Sequence, residues 1–190
     1  MHESQRLPRP ADAPPGHATL QEVERWLRLR RTESAYGFDP ATGKKIWERH
    51  TDGMEVPLTP ADRQRLRGMI FTHNHPRGWN YPESDPRRDG SSFSPDDVYS
   101  AAVSGMAELR AVTPRYVFSM LPRNHGAWPT PDRIEPMVNL VADRRDREQT
   151  LAHLQGMIDP LQSSAEDLHA IWTELAPLME LRYQREATGQ

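Results

Sequence analysis

The sequence predicts an α+β fold with a three-layer α/β/α tendency, a mixed central sheet flanked by helices, on three observations. The chain has 190 residues, enough for one ordinary domain with extensions at its ends. Its periodic segments run helix, hairpin, helix, strand, helix, strand and then helices. Few strands fall in β–α–β units with parallel-type patterning, which argues against a doubly wound sheet.

Each element has its own justification. Residues 1–18 carry Pro8, Pro10, Pro14, Pro15 and Gly16 among polar residues, and read as a disordered N-terminal tail. Thr19-Leu20-Gln21-Glu22 has the form of a capping box, and Val23, Trp26, Leu27 and Leu29 follow at helical spacing, so a helix is expected over 19–31. Residues 32–38 and 44–48 read as two strands of a hairpin around the turn Asp39-Pro40-Ala41-Thr42-Gly43. Thr59-Pro60-Ala61-Asp62 starts another helix with proline at its first position. Met69 to His73 is a short buried strand, and 77–91 is a long polar loop with Gly78, Pro82, Pro86 and Gly90. Ser94-Pro95-Asp96-Asp97 opens a helix carrying Val98, Ala101, Ala102, Met106 and Leu109, and residues 115–120 form a strand closed by Pro122. Helices are expected over 134–158 and 164–186, the second with a capping box at Ser164-Ala165-Glu166-Asp167.

Composition removes several function classes. Hydrophobic residues make up 36% and charged residues 27%, a lean core but not that of a disordered chain. The apolar runs are too short for a membrane span, and the N-terminus lacks the apolar centre of a secretory signal, so a cytoplasmic protein is expected. There is no cysteine, so disulfides, thiol nucleophiles and thiolate metal sites are excluded, and any metal must be held by nitrogen and oxygen. The net charge of -3 and the lack of a long basic run give no support to nucleic-acid binding. Only Lys44 and Lys45 are lysines among the 24 basic residues, an arginine bias that a GC-rich bacterial or phage genome would produce.

The chemistry concentrates between 73 and 97. Side chains at i and i+2 of a strand share a face, so His73 and His75 project together and make half of a zinc site. Pro76 ends the strand just beyond them. The missing ligand should be a carboxylate on a rigid element, and Asp97, in the first turn of the helix opened by Ser94-Pro95, is a candidate. Ser-x-x-Asp is by itself a capping box, and a capped helix is also a good way to fix one carboxylate. The letters His-Asn-His invite a nuclease reading, but here they are consecutive on one strand, and a metal-dependent nuclease remains only an alternative.

His73-Asn74-His75-Pro76 followed by Ser94-Pro95-Asp96-Asp97 resembles the signature of the JAB/MPN zinc metalloproteases (the JAMM motif), particularly their bacterial and phage RadC-like branch. The resemblance covers residues 32–120. It implies His73, His75 and Asp97 as Zn²⁺ ligands with a fourth position left for water, Ser94 as stabiliser of the tetrahedral intermediate, and an upstream glutamate as general base. Glu33 is the best match for that glutamate, and Glu48 and Glu55 are alternatives. The implied activity is hydrolysis of a peptide or isopeptide bond in a protein or peptide substrate, with a ubiquitin-like tail or a phage-related protein as candidate targets. The alternative is a non-catalytic scaffold or interaction protein of the same fold.

On this resemblance the chain divides into the tail, a catalytic domain over 19–125 with 77–91 as an inserted loop, and a C-terminal helical extension over 134–190. The 18 residues between His75 and Ser94 exceed the family's usual connection, and the loop would lie beside the metal. Asp85 and Asp89 read as loop charges paired with Arg87 and Arg88. His125 reads as a surface turn residue, and His169 as a residue packed or hydrogen-bonded at a helix edge.

Overall fold

The computed structural model describes residues 6–7, 9–155 and 160–188. In chain order these form β1 (Arg6–Leu7), α1 (Leu20–Arg28), β2 (Ser34–Phe38), β3 (Lys45–Thr51), α2 (Pro60–Arg65), β4 (Ile70–Asn74), α3 (Pro95–Ser104), β5 (Glu108–Val112), β6 (Tyr116–Pro122), α4 (Pro131–Leu154), α5 (Pro160–Leu178) and β7 (Leu181–Ala187). The strands make one mixed sheet in the order β1-β3-β2-β4-β5-β6-β7, which gives the α+β class the pattern predicts. Only β4 and β5 run parallel, because α3 crosses between them; every other neighbouring pair is antiparallel.

Alternation along the central strands sends side chains to two covers. Tyr36, Phe38 and Val112 face α1 and meet Val23 and Leu27. Ala35, Phe71, Leu109, Ala111, Phe118 and Met120 face the opposite side, where α3, α4 and α5 bring Val98, Ile134 and Trp172. Glu24, Thr72 and Arg110 on the α1 side pair with one another. Glu24 takes two hydrogen bonds from Arg110, at 2.6 and 3.1 Å, and one from Thr72 Oγ1 at 3.2 Å.

Three helices begin with the same device. Thr19, Thr59 and Ser94 each accept a backbone N–H three residues on, while Glu22, Asp62 and Asp97 accept the cap residue's own N–H. The starts read from the sequence at 19, 59 and 94 are therefore where the helices begin.

Three expectations are corrected. The N-terminal tail is ordered over 9–18: Ala13 and Ala18 are buried, and Arg9 and Asp12 pair with Glu48 and Arg30. Arg6–Leu7 also adds a strand to β3, while residues 1–5 and 8 lie outside the described residues. The helix expected to carry Met106 and Leu109 stops at Ser104, because Gly105 takes the left-handed conformation at φ 64°, and the chain continues as β5. Spacing alone points to the helix, since Met106 and Leu109 are three apart, a helical step that would put them on opposite faces of a strand.

The C-terminal extension is not only helical. α5 starts at Pro160, ahead of the box expected at 164–167, where the side chains of Ser164 and Glu166 lie outside the described residues. It ends at Leu178, Glu180 turns with φ 57°, and residues 181–187 pair with β6 along its whole length. The polar side chains of Arg182, Gln184 and Glu186 alternate with the inward Leu181 and Tyr183, a strand pattern that follows too closely on a strong helical stripe to be separated from it by eye. No described helix is long and apolar enough to cross a membrane.

One buried titratable group lies under α1. His50 packs edge-on against Trp26 and Tyr36, with Nδ1 3.1 Å from Ser34 Oγ. Burial holds its pKa below 6.5. The unfolded chain binds this proton more readily than the folded one, so stability contributed by neutral His50 is lost as pH falls through and below 6.5. Melting temperatures taken at about pH 7.5 and about pH 5.5 are expected to fall further in the wild type than in His50→Gln.

Candidate metal centre

β4 delivers the two imidazoles. His73 is its fourth residue, and its side chain lies on the face shared with Phe71, whose ring stands 5.4 Å away. His75 lies one residue past the strand, and its backbone N–H extends the ladder to Val112 O at 2.8 Å. The two side chains therefore keep the i, i+2 relation read from the sequence. Their Nε2 atoms are 2.9 Å apart.

The inserted loop does not carry α3 away from them. It folds into two 3-10 turns, Pro76–Asn80 and Pro86–Asp89, that lie against each other, the first reaching the end of α1 through Trp79 and the second packing on α5. Trp79 donates to Arg28 O at 2.8 Å, and Arg88 both lies over the Trp79 ring and donates to Tyr81 O. Asp85 pairs with Arg87 as expected, but Asp89 pairs with Arg115 rather than with a loop neighbour. Gly90 returns the chain at φ 75°, where a side-chain carbon would meet Thr113 at 2.8 Å.

Ser94 and Asp97 consequently sit over the end of β4. Asp97 Oδ1 is 3.3 Å from His73 Nε2, and Oδ2 is 3.4 Å from His75 Nε2. Among the described residues His73, His75 and Asp97 form the one group able to hold a metal ion, with a ligand atom from each within 4.8 Å of the others. Oδ2 is also the acceptor for Ser94 N at 2.7 Å and Ser94 Oγ at 2.8 Å, which leaves Oδ1 as the freer oxygen.

The donors suit a small cation. His75 Nδ1 lies 2.9 Å from the Ser91 carbonyl, which can only accept, so Nδ1 carries the proton and Nε2 is the atom that could ligate a cation. Two nitrogens and an oxygen facing one another at these distances need a shared proton or a shared cation. Donors on one tetrahedral zinc at about 2.0–2.1 Å stand about 3.3–3.4 Å apart, close to the two His–Asp separations, while the two Nε2 atoms at 2.9 Å stand nearer together. Burial disfavours charge on His73 and holds its pKa low. His75 is pushed the other way, to about 9, because the Asp97 and Glu33 carboxylates outweigh its burial. The two imidazoles likewise hold Asp97 well below the usual carboxylate range despite its burial.

Glu33 opens on the same cleft, a cavity of about 330 Å³ that His73, His75, Ser94 and Asp97 also line. It precedes β2 and is fixed through its backbone: its N–H donates to Gly53 O, and its carbonyl accepts from Thr51. Glu33 as a whole is 6% exposed. Burial is the main cause that pushes its pKa to about 8; His75 opposes the rise, while Asp97 and Glu55 add to it. Of the two alternatives, Glu48 lies elsewhere and bonds Lys45 and Arg9. Glu55 is exposed on the cleft rim, in the segment Met54–Leu58 between β3 and α2.

The five sequence-predicted residues are thus brought to one cavity. His125 belongs by its backbone to a 3-10 turn after β6, and its side chain lies outside the described residues. His169 is hydrogen-bonded to Tyr183. The sequence did not reveal the Ser91 carbonyl, since a backbone acceptor leaves no mark on residue type, nor the Met54–Leu58 rim, which reads as an ordinary loop. No protein family, curated protein or solved structure matches this chain.

Proposed function

We propose that the chain is a zinc-dependent peptidase or isopeptidase that hydrolyses the amide bond of a protein or peptide substrate, a ubiquitin-like tail among the candidates. The observation that carries this reading is the convergence of two imidazole Nε2 atoms 2.9 Å apart, a carboxylate within 3.4 Å of both, and a separate buried carboxyl on the same cavity. His73, His75 and Asp97 would hold the ion. Bound there, zinc supplies Lewis acidity toward a carbonyl and makes water a nucleophile near neutral pH.

The chain's own residues supply the proton handling. Glu33 takes a proton from the attacking water and passes it to the leaving nitrogen as the C–N bond breaks, so the products are a carboxylic acid and an amine. A carboxyl with a pKa near the working pH suits both halves of that transfer, and a nearby cation would lower the value from about 8. Ser94 Oγ lines the cavity and can turn its proton from Asp97 to the developing oxyanion, while Asp97 keeps the Ser94 backbone N–H.

Zinc analysis of the purified chain tests the site. About one ion per chain is expected in the wild type and none in His73→Ala, with hydrolysis of a peptide substrate lost together with the ion. A wild type that takes up no zinc would instead make the cluster a buried His–Asp ion pair in a non-catalytic protein.

A further inference from the structure

The Ser91 carbonyl that orients His75 belongs to an irregular stretch, residues 90–94, between the second 3-10 turn and α3. Such a stretch has no ladder of its own, and here the C-terminal part of the chain supplies the bonds. Ser92 is 2% exposed, and its Oγ lies 2.7 Å from Tyr183 Oη on β7. Tyr183 Oη lies in turn 2.8 Å from His169 Nδ1 on α5. One residue further on, Trp172 Nε1 donates to Phe93 O at 2.7 Å. The Tyr183 ring lies parallel to Phe118, 6.3 Å between centroids and 6° between planes, and edge-on to Phe93. Ser91 is thus bracketed by Gly90, pressed against Thr113, and by two residues tied to α5 and β7.

We propose, on the metal-site reading above, that the hydrogen-bond chain His169–Tyr183–Ser92 is a positioning device that fixes the Ser91 carbonyl and through it the direction of His75 Nε2, so that residues of the C-terminal elements set the metal affinity of a site they do not touch. The geometry favours this over simple packing. The bonded atoms are polar and part-buried, they form an unbroken chain from α5 to the residue beside Ser91, and Ser92 itself lines the metal cavity. A hydrogen bond that holds a ligand imidazole fixes both its tautomer and its aim, and its loss typically weakens metal binding by about 10–100-fold. Tyr183 acts one step further out, so the lower end of that range is expected.

The test is zinc affinity by chelator competition, with the visible spectrum of the cobalt-loaded protein as a second readout. Tyr183→Phe keeps the stack on Phe118 and removes only the oxygen joining Ser92 to His169. About tenfold weaker zinc binding and altered cobalt bands are expected, with the melting temperature of the metal-free protein serving as the control for folding. His169→Asn can place an amide atom near the position of Nδ1 and should retain close to wild-type affinity, whereas His169→Leu should lose it. That pair decides the matter even if Tyr183→Phe folds poorly. Wild-type affinity and cobalt bands in both Tyr183→Phe and His169→Leu, with zinc still lost in His73→Ala, would overturn the positioning role and leave the metal site standing. Equal losses in His169→Asn and His169→Leu would overturn it too. A wild type without zinc affinity would remove the metal reading and this role together.

Discussion

Glu33→Gln is expected to lower the rate of amide hydrolysis by about 10²–10⁴-fold while leaving zinc bound, the range that a lost general base accounts for. Glutamine preserves the shape of the side chain and can still accept the Val56 backbone N–H directed at this carboxyl. It cannot take a proton from water. Glu33 is not among the groups that converge at Nε2 and Oδ1, so the metal should remain. Parallel measurement of zinc content and turnover separates the two roles: unchanged turnover would remove Glu33 from the reaction, and lost zinc would make it a ligand. Glu55→Gln should be far milder, since that side chain is exposed on the rim and touches Glu33 only through its charge.

Trp172→Ala is expected to destabilise the folded chain by about 3–5 kcal/mol in urea unfolding. Trp172 is fully buried in the cluster joining α5 to the sheet, and its indole N–H satisfies Phe93 O, which the substitution would strand. Against a total stability of about 5–15 kcal/mol for an ordinary domain, such a loss leaves a protein at the edge of folding at 37 °C. A loss below about 1 kcal/mol would mean that the C-terminal elements are an appendage rather than part of the core.

The legible parts of this fold were those governed by local rules. Capping pairs at Thr19, Thr59 and Ser94 involve residues three apart, so they can be read from a string of letters, and so can the shared face of His73 and His75. The approach of Asp97 to those imidazoles was readable only as a demand for a rigid carboxylate. What delivers it is the packing of the 77–91 loop, held within itself by Arg88 and against partners distant in sequence by Trp79 and Gly90. β1 and β7 were illegible for the same reason. A two-residue strand such as Arg6–Leu7 exists only because β3 offers it an edge. Residues 181–187 carry an alternation whose meaning depends on β6 lying open beside them. Leu109 shows the limit from the other side: its step of three from Met106 suits a helix, and only the left-handed Gly105 ahead of both turns the chain into a strand.

The late arrival of β7 has a consequence for biosynthesis. While the nascent chain is still emerging, β6, with the sequence Tyr-Val-Phe-Ser-Met-Leu-Pro, presents an unpaired apolar border until residue 187 has cleared the ribosome. At about 5–20 residues per second that interval lasts several seconds, long enough for neighbouring nascent chains to zip together along it. Prematurely terminated products should therefore accumulate as inclusion bodies, and a chaperone that shields β6 during translation would raise the yield of the full-length form.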